Sequence, residues 1–406
     1  MAVFENAVTQ TPGFQAAGVH VGVKTSNKSK KDVAMIVSDT PCAVAGMFTT
    51  NAVKAAPVLY DMKVVAGGKA QAVVINSGNA NACTGEQGLI DTELMAKTAA
   101  SALGLKAENV LVCSTGVIGH AMPMDRVVPG IKEVAGQLSP FGGKDAAEAI
   151  LTTDVYRKEM SKTMDIQGIT VTIGGMAKGS GMICPHMATM LCFLTTDAKI
   201  DSDTLNKALH EACSLSFNQI SVDGDMSTND TVLILANGKA GNAPITVGSE
   251  AYNAFVEVLK EVCFYLAKKI ARDGEGATHL FEAKVVNAAT EEDALKAAKA
   301  VVSSNLVKAA IFGKDANWGR IICAVGYSGA KFDPAKVDIS LESYVGSILV
   351  AENGGGLEFD EAYAAEILQE ENVSAVIDLK AGDCSGKAWG CDLTYDYVKI
   401  NADYRT

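Results

Sequence analysis

The chain has 406 residues, of which 48% are hydrophobic, and it carries a formal net charge of -12 at neutral pH. This length is sufficient for a large buried core and for two or three domains. An acidic surface repels phosphate backbones, so we do not expect nucleic acid as a partner. The N-terminus has no basic segment followed by an apolar one, and no uncharged apolar run approaches 18 residues. Neither a secretory signal nor a membrane span is therefore predicted.

Apolar runs separated by glycine-marked turns predict strands and helices that alternate along the chain. In the N-terminal half we predict strands at 72–75, 110–113 and 169–173, a turn at 76–79 and a helix at 89–103. In the C-terminal half we predict helices at 204–216, at 251–270 and from Thr290, and strands at 231–236 and 309–312. This alternation favours an α/β or α+β architecture in which helices cover the sheets, and periodicity alone does not choose between the two.

The ten cysteines are scattered through the sequence, without a CxxC pair, and most of them stand beside apolar residues. This pattern is typical of buried free thiols in a reducing compartment, so a cytoplasmic location is expected. The five histidines show neither HExxH nor HxxxH spacing. No zinc site or other metal site is therefore predicted.

The most glycine-dense stretch runs from Gly174 to Gly181 and leads into Ala188 and Thr189. It matches neither the P-loop nor the GxGxxG spacing, so nucleotide binding is not expected. Glycines permit unusual backbone geometry, which would suit an attack of the Thr189 hydroxyl on the preceding carbonyl carbon. Hydrolysis of the resulting ester would leave Thr189 as a new N-terminus, with an amine of unperturbed pKa about 7.7–8.0 as a base. By composition alone, an ordinary core segment fits this stretch equally well.

Further residues and segments were weighed as parts of a site. Ser114-Thr115-Gly116 follows an apolar strand, and a hydroxyl and a backbone N–H there could form an oxyanion hole, although turn statistics favour a simple turn. Lys178 and Glu275 could bind the carboxylate and the ammonium group of a substrate. The run from Ser221 to Asp230 lacks EF-hand spacing, and a polar structural turn is the better interpretation.

Many short motifs, in order along the whole chain, resemble the ornithine acetyltransferase (glutamate N-acetyltransferase) family. Lys178-Gly-Ser-Gly-Met followed by Met187-Ala-Thr-Met-Leu resembles the autocleavage signature of that family. The other matching stretches are Ala16–His20, Phe48–Asn51, Asn76–Asn81, Ser114–Gly116, Asp223–Asp225, Phe312–Gly319 and Asn401–Thr406. Each motif is modest, but their combination in this order is highly specific.

The resemblance implies a layered helix–sheet–sheet–helix sandwich of the kind found in the β-aminopeptidases. It implies that the chain cuts itself between Ala188 and Thr189, giving an α chain, 1–188, and a β chain, 189–406, that stay together. Thr189 would be the nucleophile, and Thr115 and Gly116 match the oxyanion-hole pair. The residues that match the substrate-binding positions of the family are Thr152, Lys178, Thr189, Glu275, Asn401 and Thr406. Cys184 and His186 depart from the residues common before the cut, which bears on the cleavage rate.

The implied reaction is ping-pong transfer of an acetyl group from N2-acetylornithine to glutamate, in arginine biosynthesis, without a cofactor or metal. The resemblance leaves open whether acetyl-CoA also serves as a donor, and it suggests that two cut units pair as α2β2. One alternative is an amidohydrolase of the β-aminopeptidase kind, in which water accepts the acyl group. Another is a non-catalytic amino-acid-binding protein, which would remain a single uncut chain.

Overall fold

The computed structural model describes residues 4–183 and 190–403, which form helices and strands in close alternation. The helices are α1 (Ala7–Gln10), α2 (Ala56–Ala66), α3 (Gly85–Leu103), α4 (Met124–Gly136), α5 (Gly143–Ala149), α6 (Ser202–Leu215), α7 (Glu250–Arg272), α8 (Glu291–Ser303), α9 (Asn305–Phe312), α10 (Trp318–Gly326), α11 (Glu361–Leu368) and α12 (Tyr395–Asp403). The strands are β1 (Phe14–Val19), β2 (Val33–Phe48), β3 (Lys69–Asn79), β4 (Val110–Val117), β5 (Lys158–Ile166), β6 (Ile169–Lys178), β7 (Leu191–Thr196), β8 (Ile220–Ser221), β9 (Thr231–Ala236), β10 (Leu280–Ala288), β11 (Asp338–Glu342), β12 (Ser347–Glu352), β13 (Gly355–Gly356), β14 (Asn372–Asp378) and β15 (Cys384–Cys391). No helix within these ranges combines the length and the apolar character that crossing a membrane requires.

Side-chain caps define the start of six described helices in the C-terminal half, among them α6, α7, α8 and α9. Asp201, Ser249, Thr290 and Ser304 each accept a hydrogen bond from a backbone N–H in the first turn of α6, α7, α8 and α9, respectively. Such caps satisfy donors that have no partner within the helix. The helices predicted at 204–216, at 251–270 and from Thr290 are confirmed, as is the strand at 231–236.

The strand predicted at 309–312 is wrong, because these residues form the last turn of α9. Ser304 caps this helix, and its Val307 and Ile311 are buried against the apolar face of the second sheet. A four-residue apolar run does not distinguish a strand from the end of a short buried helix. The cap at Ser304 was the sequence signal for a helix.

The first sheet is folded on itself along its longest strand. The strand order is β4-β3-β2-β9-β7-β6-β5, and β1 pairs with β2 beside this path. The register of β2 against β3 shifts between Val37 and Cys42, which divides β2 into two parts. The part before the shift pairs with β1 and β3, and the part after it pairs with β9. One strand thus belongs to both layers of a folded sheet.

A hydrophobic core lies between the two layers of this sheet. Ile36 and Leu111 contribute to it from one layer, and Phe193 and Leu233 from the other. Successive strand residues point to opposite faces, so Met35 instead packs against α3 and α4 outside the first layer. Outside the second layer lie α6 and α7. The predicted helix–sheet–sheet–helix sandwich is therefore confirmed.

A second sheet, built wholly from the C-terminal part, adjoins the sandwich. Its strand order is β13-β12-β11-β14-β10-β15-β8, and α8, α9, α10 and α11 share one core with it. Trp389 of β15 connects the two units, because its ring contacts Phe264 of α7 edge-on, with centroids 5.6 Å apart. None of the strands of this sheet was predicted from the sequence; β10, β11 and β14 alternate between buried and partly exposed residues, whereas β7 and β9 are buried throughout.

In the first sheet, the two strands from after the predicted cut lie between strands from before it. The strand β7, which follows position 189, lies between β6 and β9, and β9 in turn pairs with β2. Ladder hydrogen bonds and the shared core therefore join residues on both sides of position 189. The division into 1–188 and 189–406 remains a prediction, but two such fragments would have a common sheet to hold them together.

Candidate active site

Six of the residues predicted from the sequence line one pocket, with a volume of about 300 Å³. They come from five separate segments of the chain and are Thr115, Gly116, Thr152, Lys178, Glu275 and Asn401. The predicted residues Ala188, Thr189 and Thr406, together with Cys184 and His186, lie outside the described residues. The structure therefore brings together every predicted site residue that it describes.

Thr115 and Gly116 lie near the end of β4, paired with Ser77 and Gly78 of β3. Gly116 has a φ of 133°, and a Cβ there would approach the carbonyl carbon of Gly78 to 2.3 Å. Only glycine fits this position without a shift of the backbone. The close approach of the two strands explains why the predicted oxyanion residue is a glycine.

The simple turns considered for 76–79 and 114–116 are wrong, because both segments extend paired strands. Their polar side chains bond within the sheet, and the Ser114 hydroxyl donates to the Asn76 Oδ1 at 2.6 Å. Polar and glycine residues favour turns in isolated sequence. Here parallel pairing between β3 and β4 supplies the backbone partners that a turn would otherwise provide.

Lys178, the last residue of β6, lies at the floor of the pocket with its side chain buried. Its Nζ donates to the Thr115 Oγ1 at 3.4 Å. Burial lowers the pKa of Lys178, and Asp154 and Glu275 counteract this shift in part. Because an ammonium group can only donate, the Thr115 oxygen must accept, and its O–H is left to donate into the pocket.

A buried ion network supports the glycine-rich segment that follows Lys178. The Lys158 Nζ lies 2.7 Å from the Asp154 Oδ1 and 2.5 Å from the Asp273 Oδ2. Asp154 also accepts a hydrogen bond from the Gly179 amide at 2.7 Å. Burial alone would raise the pKa of Asp154, but Lys158 and Lys178 outweigh it and hold this pKa below the ordinary value.

We expect Lys158→Met to lower the free energy of unfolding by about 3–5 kcal/mol, because it leaves two buried carboxylates without their cation. Lys162→Met is the matched control in the same strand, since Lys162 pairs with Glu261 at the exposed surface. Its expected cost is below about 1 kcal/mol. Urea denaturation of both variants measures the difference. Equal losses in the free energy of unfolding of the two variants would contradict a supporting role of the buried network.

Glu275 follows α7, and its carboxylate lies against Gly181, where a Cβ would approach the Glu275 Oε2 to 2.4 Å. The Asn401 Nδ2 of α12 donates to this Oε2 at 2.8 Å. Tyr397, one turn earlier in α12, donates its hydroxyl to the Asp223 Oδ2 at 3.3 Å. The C-terminal helix is thereby held at the mouth of the pocket, beside a carboxylate that could receive a ligand ammonium group.

The segment before β9 contributes pocket residues that the sequence analysis missed. Ser227, Thr228 and Asn229 line the pocket, although the run from Ser221 to Asp230 was interpreted as a structural turn. The Asn229 Nδ2 donates to the Ser114 carbonyl at 2.8 Å, directly before Thr115. The available signal was a dense polar run leading straight into an apolar strand. Binding residues are frequent on loops that a rigid sheet positions, but such a run does not by itself show what it contacts.

Within residues 4–183 and 190–403, no group of three or more His, Cys, Asp or Glu side chains is arranged to hold a metal ion. The pocket instead offers one buried ammonium group, one carboxylate, hydroxyls and backbone amides. This set can bind both charges of a zwitterion and can stabilise an oxyanion.

Comparison with known proteins gives a consistent picture over the whole chain. The family model described as "ArgJ family" matches residues 15–406. The arginine biosynthesis bifunctional protein ArgJ of Symbiobacterium thermophilum is 58% identical over 399 residues, which cover 98% of each chain. The protein of the same name from Caldanaerobacter subterraneus subsp. tengcongensis is 53% identical over 406 residues, 100% of each chain.

A crystal structure of arginine biosynthesis bifunctional protein ArgJ from Bacillus halodurans is similar to part of the chain. The sequences are 47% identical, with a TM-score of 0.50, and the match covers 52% of this chain and 98% of that chain. The predicted membership is confirmed by the family model and by these relatives. The chain belongs to the ArgJ family.

Proposed function

We propose that this protein transfers an acetyl group from N2-acetylornithine to glutamate, through an acetyl ester on Thr189, in arginine biosynthesis. Five separate segments converge on one pocket that contains all the described predicted site residues, and this convergence is the observation that carries the proposal. The names of the relatives support the pathway, since both are arginine biosynthesis proteins.

The charges of the pocket suit amino-acid substrates. Lys178 supplies a buried positive charge, and Glu275 supplies a negative charge at the rim. We assign Lys178 to a substrate carboxylate and Glu275, assisted by Asn401, to the side-chain ammonium group of ornithine, because the α-nitrogen of acetylornithine carries the acetyl group. Thr152 also lines the pocket, and its carbonyl accepts a hydrogen bond from the Lys30 Nζ at 2.9 Å. Acetylornithine and glutamate share the α-amino-acid backbone, so the two can use one pocket in turn.

In the proposed first half-reaction, the Thr189 oxygen attacks the acetyl carbonyl carbon, and its proton passes to the α-amine of the same residue. The negative charge on the carbonyl oxygen is stabilised by the Thr115 hydroxyl and the Gly116 amide. The C–N bond then breaks, and ornithine leaves with the proton that the amine held. In the second half-reaction the glutamate amine attacks the ester carbon and gives a proton to the α-amine of Thr189, which passes it to the Thr189 oxygen as the C–O bond breaks.

This chemistry requires a free α-amine at Thr189, so we propose that the chain first cuts itself between Ala188 and Thr189. The crystallised Bacillus halodurans chain corresponds to only 52% of this chain, as expected for one fragment of such a pair. The position of β9 and β7 between β2 and β6 in the first sheet supports fragments, 1–188 and 189–406, that remain associated. We further propose that two cut units pair as α2β2, that the enzyme is cytoplasmic, and that no cofactor takes part.

The acetyl transfer is tested by its two half-reactions. With labelled ornithine and unlabelled acetylornithine, but no glutamate, the enzyme should exchange label into acetylornithine, because the acetyl-enzyme forms without the acceptor. Addition of glutamate should then yield acetylglutamate in stoichiometric amounts. Exchange that requires glutamate would exclude the ping-pong order. Release of acetate at an unchanged rate with and without glutamate would indicate an amidohydrolase instead.

The relatives are named bifunctional, and use of acetyl-CoA as a second acetyl donor is the further activity that the family resemblance leaves open. We propose that it acetylates the same Thr189, with CoA as the leaving group, so that the acceptor step is unchanged. Glutamate-dependent release of CoA from acetyl-CoA is the expected result. Absence of this release, with acetylornithine turnover intact, would restrict the protein to recycling of the acetyl group.

A further inference from the structure

Asp230 lies directly before β9 and is 99% buried, with 1% of its surface exposed. Its Oδ1 accepts a hydrogen bond from the Met190 amide at 3.0 Å. Met190 directly precedes β7, which runs parallel to β9, and the Thr231 amide donates to the Met190 carbonyl at 3.1 Å. Asp230 therefore holds the peptide unit that joins Met190 to residue 189.

The other oxygen of the same carboxyl group, Oδ2, is buried and has no hydrogen-bond partner among the described residues. Burial raises the pKa of Asp230 well above its ordinary value, and the Met190 amide, Lys178 and the nearby Ser227 hydroxyl, which does not meet hydrogen-bond geometry with Oδ2, counteract this shift. A buried carboxylate oxygen without a donor is costly, by about 1–3 kcal/mol or more. Such an atom near a reactive site therefore points to a donor that it is placed to receive.

Covalent geometry limits where that donor can come from. Three bonds, N–Cα, Cα–C and C–N, separate the amine nitrogen of residue 189 from the amide nitrogen of Met190, and together they span about 4.3 Å. The amide of Met190 is itself 3.0 Å from the Asp230 Oδ1. Only these few covalent bonds separate Thr189 from the backbone amide that Asp230 holds.

We propose that Asp230 is a positioning residue for the nucleophile: its Oδ1 fixes the amide of Met190, the residue that follows Thr189 in the sequence, and its Oδ2 is the acceptor kept for a donor of the reacting groups. The inference rests on the proposed function, since it requires Thr189 to be the nucleophile. In this arrangement Asp230 orients Thr189 both for cutting the chain and for attacking the acetyl group. Substrate binding is left to Lys178 and Glu275.

The test compares Asp230→Asn with Asp197→Asn. The asparagine at 230 keeps an oxygen for the Met190 amide but replaces the second acceptor with an NH₂ group. Asp197 is a close match, because it is also buried, follows the opposite end of β7 and accepts a backbone hydrogen bond from Thr172 at 2.7 Å. Asp197 does not line the pocket. Each variant is assayed for chain cutting by intact mass, for kcat and for KM with acetylornithine.

We expect Asp230→Asn to slow cutting, to lower kcat by about 10²-fold, as for a misplaced catalytic group, and to leave KM within about twofold. Asp197→Asn should cut and turn over as the wild type does. If Asp230→Asn does not fold, Asp230→Ser, which retains an acceptor for Met190, gives the same comparison. Wild-type cutting and kcat in the Asp230 variant, or equal losses in both variants, would overturn the inference. An uncut wild-type chain would instead refute the proposed function itself.

Discussion

Thr189→Ala should abolish both chain cutting and acetyl transfer, because the same hydroxyl performs both reactions. Removal of a catalytic nucleophile commonly costs several orders of magnitude, so we expect kcat to fall at least about 10⁴-fold. The measurement is the initial rate of acetylglutamate formation from acetylornithine and glutamate. Turnover by the alanine variant at more than a few per cent of the wild-type rate would exclude Thr189 as the nucleophile.

Thr189→Ser provides the matched control for this prediction. Serine keeps the hydroxyl and lacks only the methyl group, so cutting and transfer should both persist at reduced rates. The pair of variants separates loss of the nucleophile from a general disturbance of the segment before Met190. Equal inactivity of the serine and alanine variants would indicate such a disturbance rather than chemistry.

Thr115→Ala should lower kcat by about 10²–10³-fold, the usual loss when one oxyanion-hole donor is removed. The Lys178 Nζ donates to the Thr115 oxygen at 3.4 Å, so the Thr115 O–H is free to donate to the negative charge that develops on the acetyl oxygen. This charge exists only in the transition state, and KM should therefore change little. Steady-state kinetics with acetylornithine as the varied substrate measure both parameters.

The control for Thr115 is again the hydroxyl-preserving variant, Thr115→Ser, which should retain the rate within about tenfold. The Thr115→Ala chain must also be shown to be cut, because a low kcat of an uncut precursor would not measure the loss of the oxyanion-hole donor. A rise of KM at unchanged kcat in the alanine variant would show that Thr115 binds the ground state. An unchanged rate would remove Thr115 from the oxyanion hole.

Local sequence signals predicted the elements with long or capped patterns. The helix α7 has a continuous apolar stripe, and α8 begins at the Thr290 cap, so both were found close to their bounds. The strand predicted at 309–312 was wrong, because this short apolar run belongs to α9. Local patterns also cannot reveal that β2 divides between two layers, since this depends on pairing with strands distant in sequence.

The site residues were predicted through motifs rather than through periodicity. Glycines and charges near Lys178 and Glu275 indicated a site, but only the resemblance to a family connected them with Thr115, Thr152 and Asn401. Asp230 and Asn229 were missed, because a polar run without regular spacing gives no sign of what it contacts. Their importance depends on the proximity of β9 to β4 and β7, which the folded sheet creates.

The buried network around Lys158 could not be predicted from the sequence either. Its partners Asp154 and Asp273 are far apart in the chain, and Asp273 stands at the end of α7, where an acidic residue is unremarkable in sequence. Only the fold shows that the three side chains are removed from water together. Charged residues that are buried at this depth need such pairing, which makes the network a structural support of the Gly179 segment.

The most direct test of the central claim is the intact mass of the wild-type protein and of Thr189→Ala under denaturing conditions. The wild-type chain of 42.3 kDa should give two fragments of about 19.6 and 22.7 kDa, in proportion to 188 and 218 of its 406 residues. The larger fragment should begin with threonine, and Thr189→Ala should remain a single chain of full mass. A wild-type enzyme that transfers acetyl groups while uncut, or an alanine variant that still cuts itself, would contradict Thr189 as a self-released nucleophile.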